Sequence, residues 1–485
     1  MKIAIVGGGT AGFVAALILK QTYPNYFVDI IKSDKIGTIG VGEGSTEHWR
    51  EFMEFVGITN TDIITKCDAT YKAGIRFENW SDKDYLQLVE GNYTAKYLDH
   101  HVLYSYLAAQ EVDPIDLALP LSVGSEMYFV EENFDNVKDS VTSQYHFNTH
   151  KLNDFLSELS KTRGIRIYDD IIQEVNLDNN GNIDTIVGNT IYNYDFYVDC
   201  TGFSRLLIGK LGATWNSYSE HLKMNSAIVF PTENEDYPMW TLARAMDAGW
   251  MFRIPVWGRK GNGYIFDKNY TTPEQAKAEV EEYLGHTVDV AKHIEFDAGA
   301  LDRPWINNCC AIGLSSAFVE PLEASSIGTS IQQSFLLAGR IFNYSQADID
   351  IYNKNFNAIM ENIRDFILLH YLTDRDDTPF WKDCKNIQLP ESLKQHLEMF
   401  KNRMPINSDF GHLSDKVLFI SMNYFIVMYA LGLVDKKAIK KQFNSLPNDV
   451  KEYAKKAVTE LLANIDKAPK LSHKTVITMI RELYK

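Results

Sequence analysis

Six residues near the start, GGGTAG at 7–12, restrict this chain more than any other stretch. They follow a short apolar run, KIAIV, and precede FVAALILKQTY, an apolar segment of helical character. In a strand–turn–helix of this kind each glycine of GxGxxG has its own task. Gly7 permits the tight turn, Gly9 lets backbone approach a pyrophosphate, and Gly12 lets the helix pack on the strand. The helix then starts at the phosphates, with Thr10 and Ala11 in its first turn and its free N–H groups facing negative charge. That context makes a dinucleotide site the expectation over a chance glycine turn. One position departs from the fingerprint. The second strand, FVDIIK at 27–32, ends in Lys32 where an acid normally holds the ribose. The nearest acid is Asp34, and Asp34 or a backbone group is expected to take that role.

Two further strand-then-glycine elements follow, FYVDCTGF at 196–203 and CCAIGLSSAF at 309–318. Three such elements so widely spaced point to FAD rather than NAD, with a nucleotide lobe split by inserted segments. The alternative is that two of them are ordinary strands ending in glycine. Residues 165–200 alternate in twos, with turn signals at 179–181 and 188–189, and predict a β-meander. Residues 46–66 read as helix, with Trp49, Phe52, Met53 and Phe55 on the apolar face, and 150–161 as another, with Leu152, Phe155 and Leu156. From 325 onward the pattern is mostly helical. The expected fold is therefore α/β and two-lobed, of the FAD-monooxygenase type. A Rossmann-type nucleotide-binding lobe occupies 1–340, interleaved with β-rich insertions at roughly 80–145 and 213–300. A mostly helical substrate-covering region occupies 341–485.

Composition mainly excludes. Acidic residues number 64 against 48 basic ones, and a net charge of −16 is unsuited to a phosphate backbone, so no nucleic-acid partner is expected. Cys67, Cys200, Cys309, Cys310 and Cys384 form no CxxC pair and read as reduced, buried thiols of a cytoplasmic protein. His100 and His101 are adjacent, point to different sides, and give no metal site. The start lacks a secretory pattern. Residues 417–434 are 18 in a row without a charge, but Ser421, Asn423, Tyr424 and Tyr429 dilute their hydropathy. A buried helix is expected there, not a membrane span.

The motifs converge on one family. GGGTAG (7–12), IGVGEG (39–44), YKAGIRFENW (71–80), YHF (145–147), VDCTGF (198–203), WMFRIP (250–255), GLSSAFVEPLEASSI (313–327) and HYLTDRDDTPFW (370–381) stand in the order and spacing of the flavin-dependent halogenases of the tryptophan-halogenase type. The chain resembles that family over most of its length. The resemblance implies FAD, used as FADH2, with O2 and a halide ion as co-substrates. Hypohalous acid made at the flavin travels to a lysine and halogenates an aromatic ring. The matching lysine is Lys72, and Glu323 matches the glutamate beside it, which accepts the ring proton or aligns the lysine. Glu320, three residues earlier, is the lesser candidate. The halide is expected at Ser325 and Ser326. Along the cofactor the expectation places Gly7, Gly9, Thr10, Ala11, Gly12, Asp34, Ile36, Ile39, Val41, Gly44, Val175, Leu314 and Ile327.

Read without the family, Lys72 is an ordinary surface lysine, because most lysines are solvated. Its neighbours Tyr71, Ile75, Phe77 and Trp80 favour a shielded amine instead. The family's WxWxIP motif, thought to keep flavin and substrate apart, has Phe252 in place of its second tryptophan. Two serines suit a large, weakly hydrated anion, so bromide or iodide is expected to serve at least as well as chloride. The acidic, aromatic insert by which tryptophan-specific members grip the free amino acid has no counterpart after Met404. A small electron-rich indole, phenol or pyrrole is expected, free or carrier-bound. No second nucleotide domain is visible, so a separate flavin reductase is the implied partner. The oligomeric state stays open. Two alternatives remain: a flavin-dependent aromatic hydroxylase, and a flavin-binding protein without turnover.

Overall fold

The computed structural model describes residues 1–37, 43–88, 100–118, 127–129, 144–413, 417–467 and 470–484. The chain opens as β1 (Lys2–Val6), α1 (Thr10–Thr22) and β2 (Phe27–Lys32). Each of the other strands of this sheet comes from far away in sequence: β3 (Arg166–Asp169), β4 (Phe196–Asp199), β5 (Trp305–Ile306) and β6 (Cys309–Ala311). The order is β5-β6-β4-β1-β2-β3, parallel throughout except for the short antiparallel edge strand β5. The three strand-then-glycine elements of the sequence are thus neighbours, β6, β4 and β1, and their glycine loops meet at one end of the sheet. Nearly every residue of these three strands is buried, as a parallel sheet covered on both faces requires. The meander expected at 165–200 is present, with strands at Glu174–Leu177, Ile183–Val187 and Ile191–Tyr192 forming a small sheet of their own.

A second sheet of seven strands runs Lys292–Glu295, Ser226–Glu233, Arg259–Phe266, Gly249–Val256, Trp240–Met246, Gly74–Glu78, Tyr85–Leu88. All its pairings are antiparallel except that of Trp240–Met246 with Gly74–Glu78. WMFRIP lies on a central strand of it. Trp250 and Phe252 are both buried, with ring centres 6.1 Å apart. Phe252 lies flat over Gly263 of the next strand, where a Cβ would come within 2.5 Å of the ring. A third, small sheet joins Glu43–Gly44, Tyr145–Phe147 and Thr70–Tyr71. Glu43–Gly44, YHF and Thr70–Tyr71, from three separate sequence motifs, therefore share one hydrogen-bonded unit.

The helical expectation for 46–66 needs a correction. Two helices form there, His48–Val56 and Asn60–Lys66, separated by Gly57 at φ +73°, a left-handed cap that glycine adopts without strain. Trp49, Phe52 and Met53 are buried as expected, but Phe55 is 37 % exposed and packs edge-on against Phe335. The helix expected at 150–161 is Thr149–Thr162, and it packs with α1. Downstream lie α2 (Ser325–Ala338), α3 (Gln346–His370) and α4 (Ser421–Ala430). The start of α3 is set by a capping box in which Ser345 and Asp348 satisfy each other's backbone. The apolar stretch at 417–434 contains α4, only ten residues long and almost wholly buried, with Phe425 against Tyr104 and Tyr424 among Phe366, Phe400 and Phe410. Among the described residues no helix is long and apolar enough to cross a membrane. All five cysteines are free; four are buried and Cys200 is half-buried.

Candidate active site

The glycine turn is built as its spacing requires. Gly7 sits at φ +123°, and a Cβ there would meet the Cys200 carbonyl oxygen at 2.0 Å. A Cβ on Gly12 would fall 2.2 Å from the Gly7 oxygen, so the helix can approach the strand only through glycine. Gly9 is different: it caps α1 without a side-chain hydrogen bond, and nothing stands within 4 Å of where its Cβ would be. From the third glycine element, Gly313 (φ +71°) presses on Ala11, and Leu314 follows it in the same short 3-10 turn. Gln333 of α2 fixes that loop by accepting from Gly313 N and Ser316 Oγ. Thr10 donates to Asn153 Oδ1 at 2.8 Å, while the buried Nδ2 of Asn153 has no protein partner. An open face at Gly9, unsatisfied helix N–H groups and an orphaned amide donor fit the phosphates of FAD.

The other expected cofactor residues come from several separate elements. Lys32 lays its stem over Gly8 and its ammonium on Asp34, and that hydrogen bond holds the Asp34 carboxyl below its ordinary range. The Asp34 backbone N–H donates to Asp169. Ile36 is exposed, and Val175 lies in the apolar cluster with Val6 and Ile31. Ile327 is buried in the first turn of α2. Ile39 and Val41 lie outside the described residues.

Lys72 is 1 % exposed. It follows the small three-stranded sheet, and its ammonium donates to the Ser45 carbonyl at 2.8 Å. Gly44 supplies the room, since a Cβ there would stand 3.3 Å from Nζ. Sequence reasoning placed Gly44 at the cofactor and did not foresee this contact. Burial lowers the Lys72 pKa to about 8, with the charges of Glu323 and Glu47 opposing the shift. The same turn reaches α2 by way of Gly328, which lies against Thr46 with no space for a side chain between them.

Glu323 is 4 % exposed and faces His370, the last residue of α3, with Oε1 2.9 Å from Nε2. The two atoms are close but not aligned as a hydrogen bond. The other ring nitrogen, Nδ1, lies 2.9 Å from the Phe366 carbonyl, which can only accept, so Nδ1 carries a hydrogen. The buried carboxyl thus faces the remaining ring nitrogen, Nε2. Phe77 and Tyr85, stacked at 4.6 Å, lie beside the same imidazole. Glu320 is just as buried but faces elsewhere. Its Oε1 accepts from Trp250 Nε1 at 3.1 Å and from the Tyr371 hydroxyl, and Oε2 has no partner. Burial raises its pKa to about 7, against those two hydrogen bonds. Adjacent residues His370 and Tyr371 thus each read one of the two glutamates. Both were visible in the motif HYLTDRDDTPFW, but nothing in a linear sequence tied them to EPLE.

Ala324, between Glu323 and Ser325, is left-handed (φ +53°) and caps α2. The turn it makes sends Ser325 and Ser326 into the first turn of the helix. Both line a cleft with Gly313, Phe318, Thr329 and Met360. Backbone N–H groups at such a helix start favour an anion.

A glycine-turn lobe carrying a buried amine and two buried carboxyls beyond it belongs to a flavin-dependent oxidoreductase. The chain is a member of the tryptophan halogenase family, whose family model matches residues 2–445. It is 32 % identical to the tryptophan 6-halogenase SttH of Streptomyces toxytricini, over 92 % of this chain and 94 % of that one. It is 30 % identical to the tryptophan 7-halogenase RebH of Lentzea aerocolonigenes, over 89 % and 90 %. Among solved structures, that of Tar14, a tryptophan C-6 flavin-dependent halogenase from taromycin biosynthesis, superimposes with a TM-score of 0.88 at 26 % identity, covering 99 % of each chain.

Proposed function

We propose that this protein halogenates a small electron-rich aromatic, an indole, phenol or pyrrole, by means of hypohalous acid held at Lys72. FAD, supplied reduced by a separate flavin reductase, provides the oxidising chemistry with O2. Gly7, Gly9 and Gly12 admit its phosphates, with Thr10, Ala11, Leu314 and Asn153 around them. The helix start at Ser325 and Ser326 holds the halide through N–H groups and hydroxyls. Two serines impose little desolvation on a large ion, so bromide or iodide is used at least as well as chloride.

Lys72 carries the proposal: it is a fully buried amine that donates to the Ser45 carbonyl and lies within reach of the charge of Glu323. At pH 7 it is mostly ammonium and donates to the oxygen of HOX, which polarises the O–X bond toward the ring carbon. The ring then attacks halogen, water leaves with the ammonium's proton, and the ring proton passes to Glu323. His370, with Nε2 2.9 Å from Glu323 Oε1, holds the carboxyl in place. Trp250 and Phe252, backed by Glu320 and Tyr371, form a buried wall that keeps flavin and substrate apart.

Lys72→Ala tests this directly. FADH2 oxidation should persist while halogenated product, read by mass spectrometry, falls to background. Competition among chloride, bromide and iodide in the same assay tests the halide site. A hydroxylated product formed without halide, or full halogenation by Lys72→Ala, overturns the proposal.

A further inference from the structure

Residues beyond 445 lie outside the family match, yet they reach the reactive lysine from behind. Lys470–Ser472 pairs with Met127–Phe129, and helix α5 (His473–Leu483) follows, capped by Ser472 accepting from Thr475 N. This helix packs on Asn60–Lys66, and Arg481 donates to the Ile64 carbonyl at 2.8 Å. Its first residue, His473, is fully buried. Nδ1 lies 2.9 Å from the Tyr237 carbonyl and so carries the hydrogen. Nε2 is left with its lone pair and accepts the backbone N–H of Tyr71 at 3.0 Å. The imidazole also faces the Tyr71 ring, 6.0 Å away.

Tyr71 immediately precedes Lys72. Three consecutive backbone donors are held by three different parts of the chain. Tyr71 N–H goes to His473, Lys72 N–H to the Gln144 carbonyl at 2.8 Å, and Ala73 N–H to the Met239 carbonyl at 2.6 Å. His473 also ties Tyr71 to Tyr237, on the same connection as Met239. A lysine tip lies five bonds from its Cα, so a small rotation of the backbone at 71–72 moves Nζ off Ser45 and away from Gly44. We propose that His473 is a positioning residue for Lys72, supplied by the C-terminal segment, and that it fixes the backbone from which the ammonium reaches the oxidant. An apolar residue at 473 would leave a buried N–H and a buried C=O unpaired at the base of the lysine.

This inference rests on the role proposed for Lys72. The measurement is halogenated product formed per FADH2 oxidised. In His473→Leu that ratio should fall by about a hundredfold, the scale expected when a reacting group is displaced by around 1 Å. His473→Gln keeps an acceptor at the reach of Nε2 and should recover most of it, whereas the shorter His473→Asn should not. Arg481→Ala loosens α5 without touching Tyr71, and should lower Tm while leaving the ratio near wild type. The proposal is overturned if His473→Leu couples as wild type does, or if Arg481→Ala loses coupling to the same degree at equal loss of Tm. If His473→Leu does not fold, the Gln and Asn pair decides. Normal coupling in Lys72→Ala is a separate outcome, and it removes the lysine's role itself.

Discussion

A buried lysine is a charge held where the fold disfavours it. Lys72 has its pKa lowered to about 8 by burial, and the opposing charges of Glu323 and Glu47 only partly compensate. The sign of the pH effect follows. Below pH 8 the folded and unfolded chains both carry the proton, and the buried charge destabilises the fold in full. Between pH 8 and the ordinary lysine value only the unfolded chain keeps it, so this destabilisation is relieved as pH rises. Lys72→Met should therefore unfold at a higher temperature than wild type at pH 7, with the gap narrowing toward pH 10. Thermal denaturation at a series of pH values checks this, and a gap that does not change with pH contradicts it. The same titration bears on chemistry. If the ammonium is the form that donates to HOX, product per FADH2 oxidised falls as pH passes through about 8.

At the scale of elements, glycine separates structural from binding roles. Gly7 and Gly12 are required by contacts inside the protein, whereas Gly9 faces open space. Gly9→Ala should leave thermal stability nearly unchanged while weakening FAD binding, read by flavin fluorescence titration. Gly7→Ala should instead cost about 1–3 kcal/mol or more, because both its φ and the Cys200 carbonyl oppose a side chain. Equal FAD affinity in Gly9→Ala and wild type would contradict the assignment of that face. The glycine turn, its flanking strand and helix, and the meander were all legible from residue order, because each is a local pattern. The break at Gly57 was not. The apolar spacing of 46–66 runs across it, and only the left-handed cap shows that two helices meet there.

For the whole molecule, one nucleotide-type sheet is assembled from strands more than 300 residues apart, and no second sheet of that order is present among the described residues. The purified chain alone should not oxidise NADH or NADPH. FAD reduced photochemically should sustain halogenation without any reductase, as followed by product mass and nicotinamide absorbance. Strong NADPH oxidation by the chain alone would contradict the two-protein arrangement.

Residue types and short spacings pointed to a dinucleotide site and to FAD over NAD, and the motifs' resemblance to the halogenase family marked Lys72 and Glu323. These follow from the sequence because strand–turn–helix patterns and motifs are encoded by neighbours. Tertiary structure alone decided that Gly44 leaves room for Lys72, that His370 and Tyr371 divide the two glutamates between them, and that His473 supports the backbone under the lysine. Each of these contacts joins residues between 28 and 402 positions apart. Such a contact depends on which surfaces the packed strands and helices bring together, and no local pattern records it.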